Sequence, residues 1–439
     1  MESVDTLIDA RWVVPVEPAG AVLADHSVAI RDGNIVALLP TGEARARYAA
    51  AEHVKLEQHA LIPGLINLHT HAAMTLMRGM ADDLPLMEWL SGHIWPAEAR
   101  HVTAEFVHAG TLLACAEMLR GGITCMNDMY FFPEAAARAV LSSGMRASLG
   151  MIVIDLPTAY ASDPDDYLAK GLALRDALRH EPLLSFCLAP HAPYTVSDAT
   201  FEKIGRYAEE LGLPVHIHLH ETQAEIDGEV AKTGMRPLAR LKNLGLVGPQ
   251  LIAVHAVHLE PGEIEMLARH GASVAHCPSS NLKLASGIAP IANMVRAGVN
   301  FGLGTDGAAS NNRLDMFAEM RLAALLAKGV SGAAQTLPAH AALHAATLAG
   351  ARALGLDSRI GSIVPGKAAD LAAVGLGGLE LQPVYDPVSH LVYAAGREHV
   401  TDVWVGGNRV VNKLQLTRVD LPSLESSTQM WQNRLRDSP

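Results

Sequence analysis

Cysteine, aromatic residues and charge are all scarce in this chain: of 439 residues four are cysteine, 5% are aromatic and 18% are charged. Cys115, Cys125, Cys187 and Cys277 lie far apart in apolar surroundings with no C-x-x-C pair, which excludes a disulfide framework or a cysteine zinc cluster as the organising device. A reducing, cytoplasmic location is the matching expectation. Positive charge is in deficit, with a formal net charge of -12. Such a chain repels a phosphate backbone, and with no basic stripe interleaved with aromatics, nucleic acid polymer is not an expected partner. No run of about 18 uninterrupted apolar residues occurs, so no membrane span is implied. The opening MESVDTLIDARW has three acids before its first base and no long apolar segment, unlike a secretory signal.

What is present is a rhythm. From residue 61 to about 330, short apolar runs alternate with amphipathic segments bounded by cap residues. Eight runs stand out: LIPGLINLH (61–69), ITCMNDM (123–129), RASLGMIVI (146–154), LLSFCLA (183–189), PVHIHLH (214–220), LIAVHAV (251–257), SVAHC (273–277) and NFGLGT (300–305). Between them the spacing predicts helices, one with Thr103 as N-cap and Gly121 past its end, another opening at Pro133 and stopped by Gly144. Runs that are apolar nearly throughout suit parallel strands covered on both faces, so a (β/α)8 barrel over residues 61–360 is the expected core. A doubly wound open sheet is the alternative, but its G-x-G-x-x-G fingerprint is missing. Residues 1–60 and 361–439 instead show short β-type runs joined by turns such as RDGN and VGGN. They are expected to pair into one small β-sandwich domain built from both ends of the chain.

In a (β/α)8 enzyme the chemistry sits at the C-terminal ends of the strands. The polar residues of the runs fall there: His69 and His71, His191, then His216, His218 and His220 followed by Glu221, then His255, His276 and Asp306. Any one alone is equally well a satisfied core histidine or a turn aspartate. Together, several imidazoles and a carboxylate at one barrel mouth suit a borderline divalent cation, with zinc first and iron or manganese also able to use such donors. A two-metal site in barrels of this kind often uses a carbamylated lysine on strand four. That strand offers His191 and no lysine, so one metal is expected.

The stretches PGLINLHTHAAMTLMRGMADDLPLMEWL, HIHLHET, AVHAVHL, PSSNLKLASGIAPI, GLGTDGAASNN and PGKAADL resemble the amidohydrolase superfamily. Within it they resemble the deaminases acting on methylthioadenosine and S-adenosylhomocysteine and the related chlorotriazine hydrolases. The resemblance implies a metal held by His69, His71, His218 and Asp306, His218 being chosen over His216 and His220 by the family's H-x-x-E spacing. It implies that water acidified by the metal attacks C6 of an adenine, with Asp306 taking the water's proton, Glu221 serving the ring nitrogen and His255 hydrogen-bonding the tetrahedral centre. For substrate it implies Glu98 on the ribose hydroxyls, His191 as a ligand contact and Trp89 over the purine or thioether. Members accepting S-adenosylhomocysteine place arginines after strand three. Here Met151, and less directly Tyr167, align there, so methylthioadenosine or adenosine is the expected substrate. Removal of chloride or an amine from a triazine, or of ammonia from guanine, is the rival chemistry. A non-catalytic assembly scaffold is the rival of another class, disfavoured because every ligand position is filled. A homodimer or homotetramer is the ordinary expectation for such an enzyme.

Overall fold

The structure is a computed structural model, and it describes residues 1–436. Chain order gives four strands, β1 (Glu2–Val13), β2 (Leu23–Arg31), β3 (Asn34–Pro40) and β4 (Tyr48–Pro63). Eight more follow: β5 (Leu65–Thr70), β6 (Ile123–Asp128), β7 (Arg146–Val153), β8 (Leu184–Pro190), β9 (Val215–Leu219), β10 (Leu251–His255), β11 (Ser273–His276) and β12 (Asn300–Leu303). The last four are β13 (Leu371–Gly375), β14 (Val400–Val405), β15 (Asn408–Asn412) and β16 (Gln415–Leu416).

Strands β5 to β12 form one parallel sheet in strict chain order, each joined to the next through helices, so the (β/α)8 expectation holds. The helices begin and end where the caps direct. Thr103 accepts a hydrogen bond from the Phe106 amide at the head of helix Ala104–Arg120, and Gly144 adopts φ 76° to stop helix Pro133–Ser143. The sheet closes between β12 and β5, where the Thr305 amide donates to the Asn67 side-chain oxygen at 3.0 Å and the Asp306 amide donates to the His69 carbonyl at 2.9 Å. Closure therefore passes through two residues of the predicted metal set.

The flanks form one eight-stranded mixed sheet in the order β16-β15-β14-β13-β4-β1-β2-β3. It folds over on itself, so that Trp404, fully buried, packs in one core with Ile8, Val28, Val54 and Leu371. The turn glycines Gly33 and Gly407, both at positive φ, meet where the two hairpins close the fold: a Cβ on Gly407 would lie 2.8 Å from the Gly33 Cα.

The first apolar run divides. LIPGLINLH is the end of β4 in the small sheet followed by β5 in the barrel, with the break at Gly64, where a Cβ would lie 2.1 Å from the Thr124 hydroxyl. The two sheets are also tied by a buried bidentate pair. Arg146 at the start of β7 donates to Asp370 at 2.7 and 3.1 Å, and the Gly406 amide donates to the same carboxylate at 2.7 Å. The C-terminal helix Leu421–Arg436 lies against the barrel, with Trp431 edge-on to Phe106.

Candidate metal centre and active site

Four ligand-bearing side chains converge at the barrel mouth. His69 Nε2 lies 3.2 Å from Asp306 Oδ1, and His71 Nε2 lies 3.3 Å from the same oxygen. His218 Nε2 is 3.3 Å from both His69 Nε2 and His71 Nε2. A cation about 2.0–2.1 Å from four tetrahedral ligands would separate them by about 3.3 Å, so these spacings fit one without rearrangement.

Tautomers give a second, independent test. His71 Nδ1 rests on the Met129 carbonyl at 2.6 Å and His218 Nδ1 on the His191 carbonyl at 2.7 Å. A carbonyl only accepts, so both Nδ1 atoms carry hydrogen, and a neutral ring at either place aims its Nε2 lone pair at one shared point. A bound cation satisfies lone pairs placed this way; without one, burial works against protonation of His71, yet the Asp306 carboxylate and the Met129 carbonyl raise its pKa to about 9. Asp306 supplies the matching negative field. Burial opposes its ionisation, yet hydrogen bonds and charge from His69 and His71 hold it well below the usual carboxylate range. Its Oδ1 also accepts from the Gly307 amide at 2.8 Å, while Oδ2 accepts from the hydroxyls of Ser280 and Ser310 at 2.6 and 2.8 Å.

The backbone is strained around these groups. His220, His255, Ala256 and Asp306 all have positive φ, between 48° and 68°, each costing about 1–3 kcal/mol for a side-chain-bearing residue. The strain has a geometric result. His216, His218 and His220 would share one face in an unbroken strand, but the turn at His220 sends its Nε2 to the Leu238 amide at 3.0 Å instead. His216 stays below His69, and His218 alone of the three reaches the cluster. His276 lines a separate cavity with Ile288 and Arg296.

Glu221 is buried beside the cluster, with Oε2 3.8 Å from His255 Nε2 and Oε1 3.4 Å from the Ser286 hydroxyl. Burial raises its pKa, His255 opposing. His255 Nδ1 is paired at 2.8 Å with Asn281 Oδ1, leaving its Nε2 lone pair on the site side. Glu221 itself is held by Glu225, whose carboxylate accepts from the amides of Glu221 at 2.8 Å and His220 at 3.1 Å. The signal for Glu225 was present in T-x-x-E, since Thr222 caps the helix that carries it.

A cavity of about 570 Å³ opens from the cluster. Its carboxylates and imidazoles are His71, His191, His218, Glu221, His255 and Asp306 at one end and Glu98 further along, with the hydroxyls of Tyr130, Thr158, Tyr194 and Thr195 on walls that are otherwise largely apolar, Trp89, Phe131 and Ile154 among them. No lysine or arginine lines it among the described residues. Glu98 accepts from the Tyr130 hydroxyl at 2.8 Å, and burial raises its pKa to about 7 with Tyr130 and His71 opposing. Burial pushes His191 down to about 4, helped by the charge of His71. Trp89 lines the wall with an indole N–H that has no partner.

Met151 requires correction. It lies outside the cavity lining, with its side chain beneath Gly171 of helix Pro164–Leu178, and Ile152 and Ile154 take the inward places. Tyr167 is likewise buried against Thr158 and away from the lining. The physical reason is strand parity, set here by the close approach of the helix at Gly171.

A parallel barrel with three imidazoles and an aspartate at its C-terminal mouth defines a metal-dependent hydrolase. The amidohydrolase family description matches residues 60–410, and the chain belongs to that family. It is 48% identical over 433 residues to a 5-methylthioadenosine/S-adenosylhomocysteine deaminase of Teredinibacter turnerae, covering 99% of this chain and 98% of the relative. A protein of Saccharophagus degradans with the same name is 46% identical, covering 98% and 97%. A zinc-bound adenosine deaminase structure from Xanthomonas campestris superposes with a TM-score of 0.98 at 53% identity over the whole of both chains. Atrazine chlorohydrolase from Arthrobacter aurescens, complexed with zinc, shares the fold at a TM-score of 0.91 and 24% identity, covering 97% and 99%.

Proposed function

We propose that this protein removes ammonia hydrolytically from adenine nucleosides, with 5'-methylthioadenosine preferred, using one zinc ion held by His69, His71, His218 and Asp306. The observation that carries the reading is the cavity itself, which runs from the four-donor cluster and Glu221 to the Glu98–Tyr130 pair through apolar walls without a cation. A purine with its amino group at the cluster places N1 near Glu221 and its sugar diol within reach of a carboxylate. When bound, the cation lowers the pKa of water at the site and polarises it toward attack. Asp306 takes the water's first proton and passes it to the departing amine. Glu221, its pKa raised by burial, lends a proton to purine N1 and recovers it from the hydroxyl added at C6. His255 accepts a hydrogen bond from that hydroxyl through its bare Nε2. The protons balance: one water hydrogen leaves in ammonia, and the other returns to Glu221 in place of the proton left on N1. The relatives' names support the substrate class.

The test is ammonia release from a panel of substrates. The specificity constant for methylthioadenosine is expected to exceed that for S-adenosylhomocysteine by about 10²-fold or more, because a carboxylate tail would be buried without a cationic partner. Equal constants would remove the proposed preference, and activity on free guanine or a triazine with none on nucleosides would remove the reading. Glu98→Gln is expected to raise KM for the nucleoside by about 10–100-fold, the loss of hydrogen bonds to a charged group worth about 1.5–3 kcal/mol. The same variant carries a pH signature. Glu98 is charged only above about 7, so wild-type kcat/KM should rise with pH through that region and the variant's rise there should vanish.

A further inference from the structure

The three imidazoles of the cluster are held from behind in two different ways. His71 and His218 rest their Nδ1 atoms on backbone carbonyls, which no substitution removes. His69 Nδ1 instead lies 3.0 Å from His216 Nε2, a side chain, with the two rings edge to face at 4.9 Å. Both residues are fully buried.

We infer that His216 sets the metal affinity of this centre, by holding the one ligand imidazole whose second nitrogen depends on a side chain. The inference rests on the proposed ligand set. If His69 gives its Nε2 lone pair to a cation, its proton sits on Nδ1 and is donated to His216 Nε2. His216 must then carry its own hydrogen on Nδ1, and that atom is buried without a hydrogen-bond partner. An apolar side chain would fill the same space without this cost, so packing alone gives no reason for an imidazole here. An acceptor for His69 does. It fixes the rotation of the ring whose nitrogen stands 3.2 Å from Asp306 Oδ1 and 3.3 Å from His218 Nε2. Because the acceptor is a neutral imidazole, His69 is oriented without the electron donation that a carboxylate would send through it to the cation. His216 is thus a positioning residue, one layer below the chemistry.

The experiment is zinc affinity by competition with a chromogenic chelator, on the full-length apo protein reloaded with zinc alone. Glutamine places its carbonyl oxygen about as far from the backbone as Nε2, whereas asparagine reaches only as far as Nδ1. His216→Asn is expected to weaken zinc by about 10–100-fold, and His216→Gln to stay within about threefold of the parent. Cobalt-loaded His216→Asn should show altered visible bands and His216→Gln should not. His216→Phe, which keeps ring volume, takes the place of asparagine if that chain does not fold, with the same expected loss. Retained affinity in the asparagine or phenylalanine variant overturns the inference, as does an equal loss in the glutamine variant. A parent protein that takes up no stoichiometric zinc, or keeps it in His71→Ala, would instead overturn the ligand set itself.

Discussion

Glu221→Gln is expected to lower kcat by about 10²–10⁴-fold while leaving zinc content and nucleoside binding nearly unchanged. The carboxyl is buried at the cavity wall and contributes no atom to the four-donor cluster, so an amide of the same shape preserves packing and metal. What the amide cannot do is give a proton to purine N1 and take it back. Wild-type Glu221 is suited to both because burial raises its pKa, which keeps it a weak enough acid to reclaim the proton. The measurement is steady-state kinetics beside metal analysis of the same preparation. A fall in zinc content parallel to the fall in rate would assign Glu221 to holding the metal, and an unchanged kcat would end its role in proton transfer. Glu225→Gln offers a graded comparison, because it loosens Glu221 through the two amides it grips without touching the proton donor.

The fold was readable because hydrophobic runs bounded by caps report strands and helices directly. Each of the eight barrel strands falls on one of the eight apolar runs, β5 and β8 passing the ends of theirs by a single residue, and the caps at Thr103 and Gly144 act as their residue types require. The boundary at Gly64 was not readable, since two consecutive strands from different sheets make one unbroken apolar stretch. Met151 failed for a related reason. RASLGMIVI is apolar at nearly every position, so it carries no alternation from which the inward face could be told, and helix packing at Gly171 decided it. The cluster residues were legible by their place at strand ends, but the choice of His218 over its neighbours needed its distance from Glu221 in sequence. The supports behind the cluster were not legible. Ser280, Asn281 and Tyr130 are ordinary polar side chains on segments distant in sequence, and only the closed barrel brings them onto Asp306, His255 and Glu98, whereas Ser310 reaches Asp306 from four residues further along the chain.

Removing the metal with a chelator is expected to reduce activity by about 10³-fold or more, since Lewis-acid stabilisation of this kind is worth several kcal/mol. Added zinc should restore it. Unfolding should also shift to lower temperature, because an ion bound only by the folded chain adds its binding free energy to stability. Asp306→Asn separates the two tasks assigned to that residue. The amide keeps an oxygen that can face the cation beside His69 and His71, and the hydroxyls of Ser280 and Ser310 remain to orient it. It has no carboxylate to receive a proton. Excess zinc should therefore refill the site of the variant and raise its unfolding temperature without returning the rate, which should remain down by about 10²–10⁴-fold. Full recovery of activity on zinc addition would show that Asp306 serves the cation alone and that the water's proton leaves by another group, for which His255, with its free Nε2 3.8 Å from Glu221, is the one already in place.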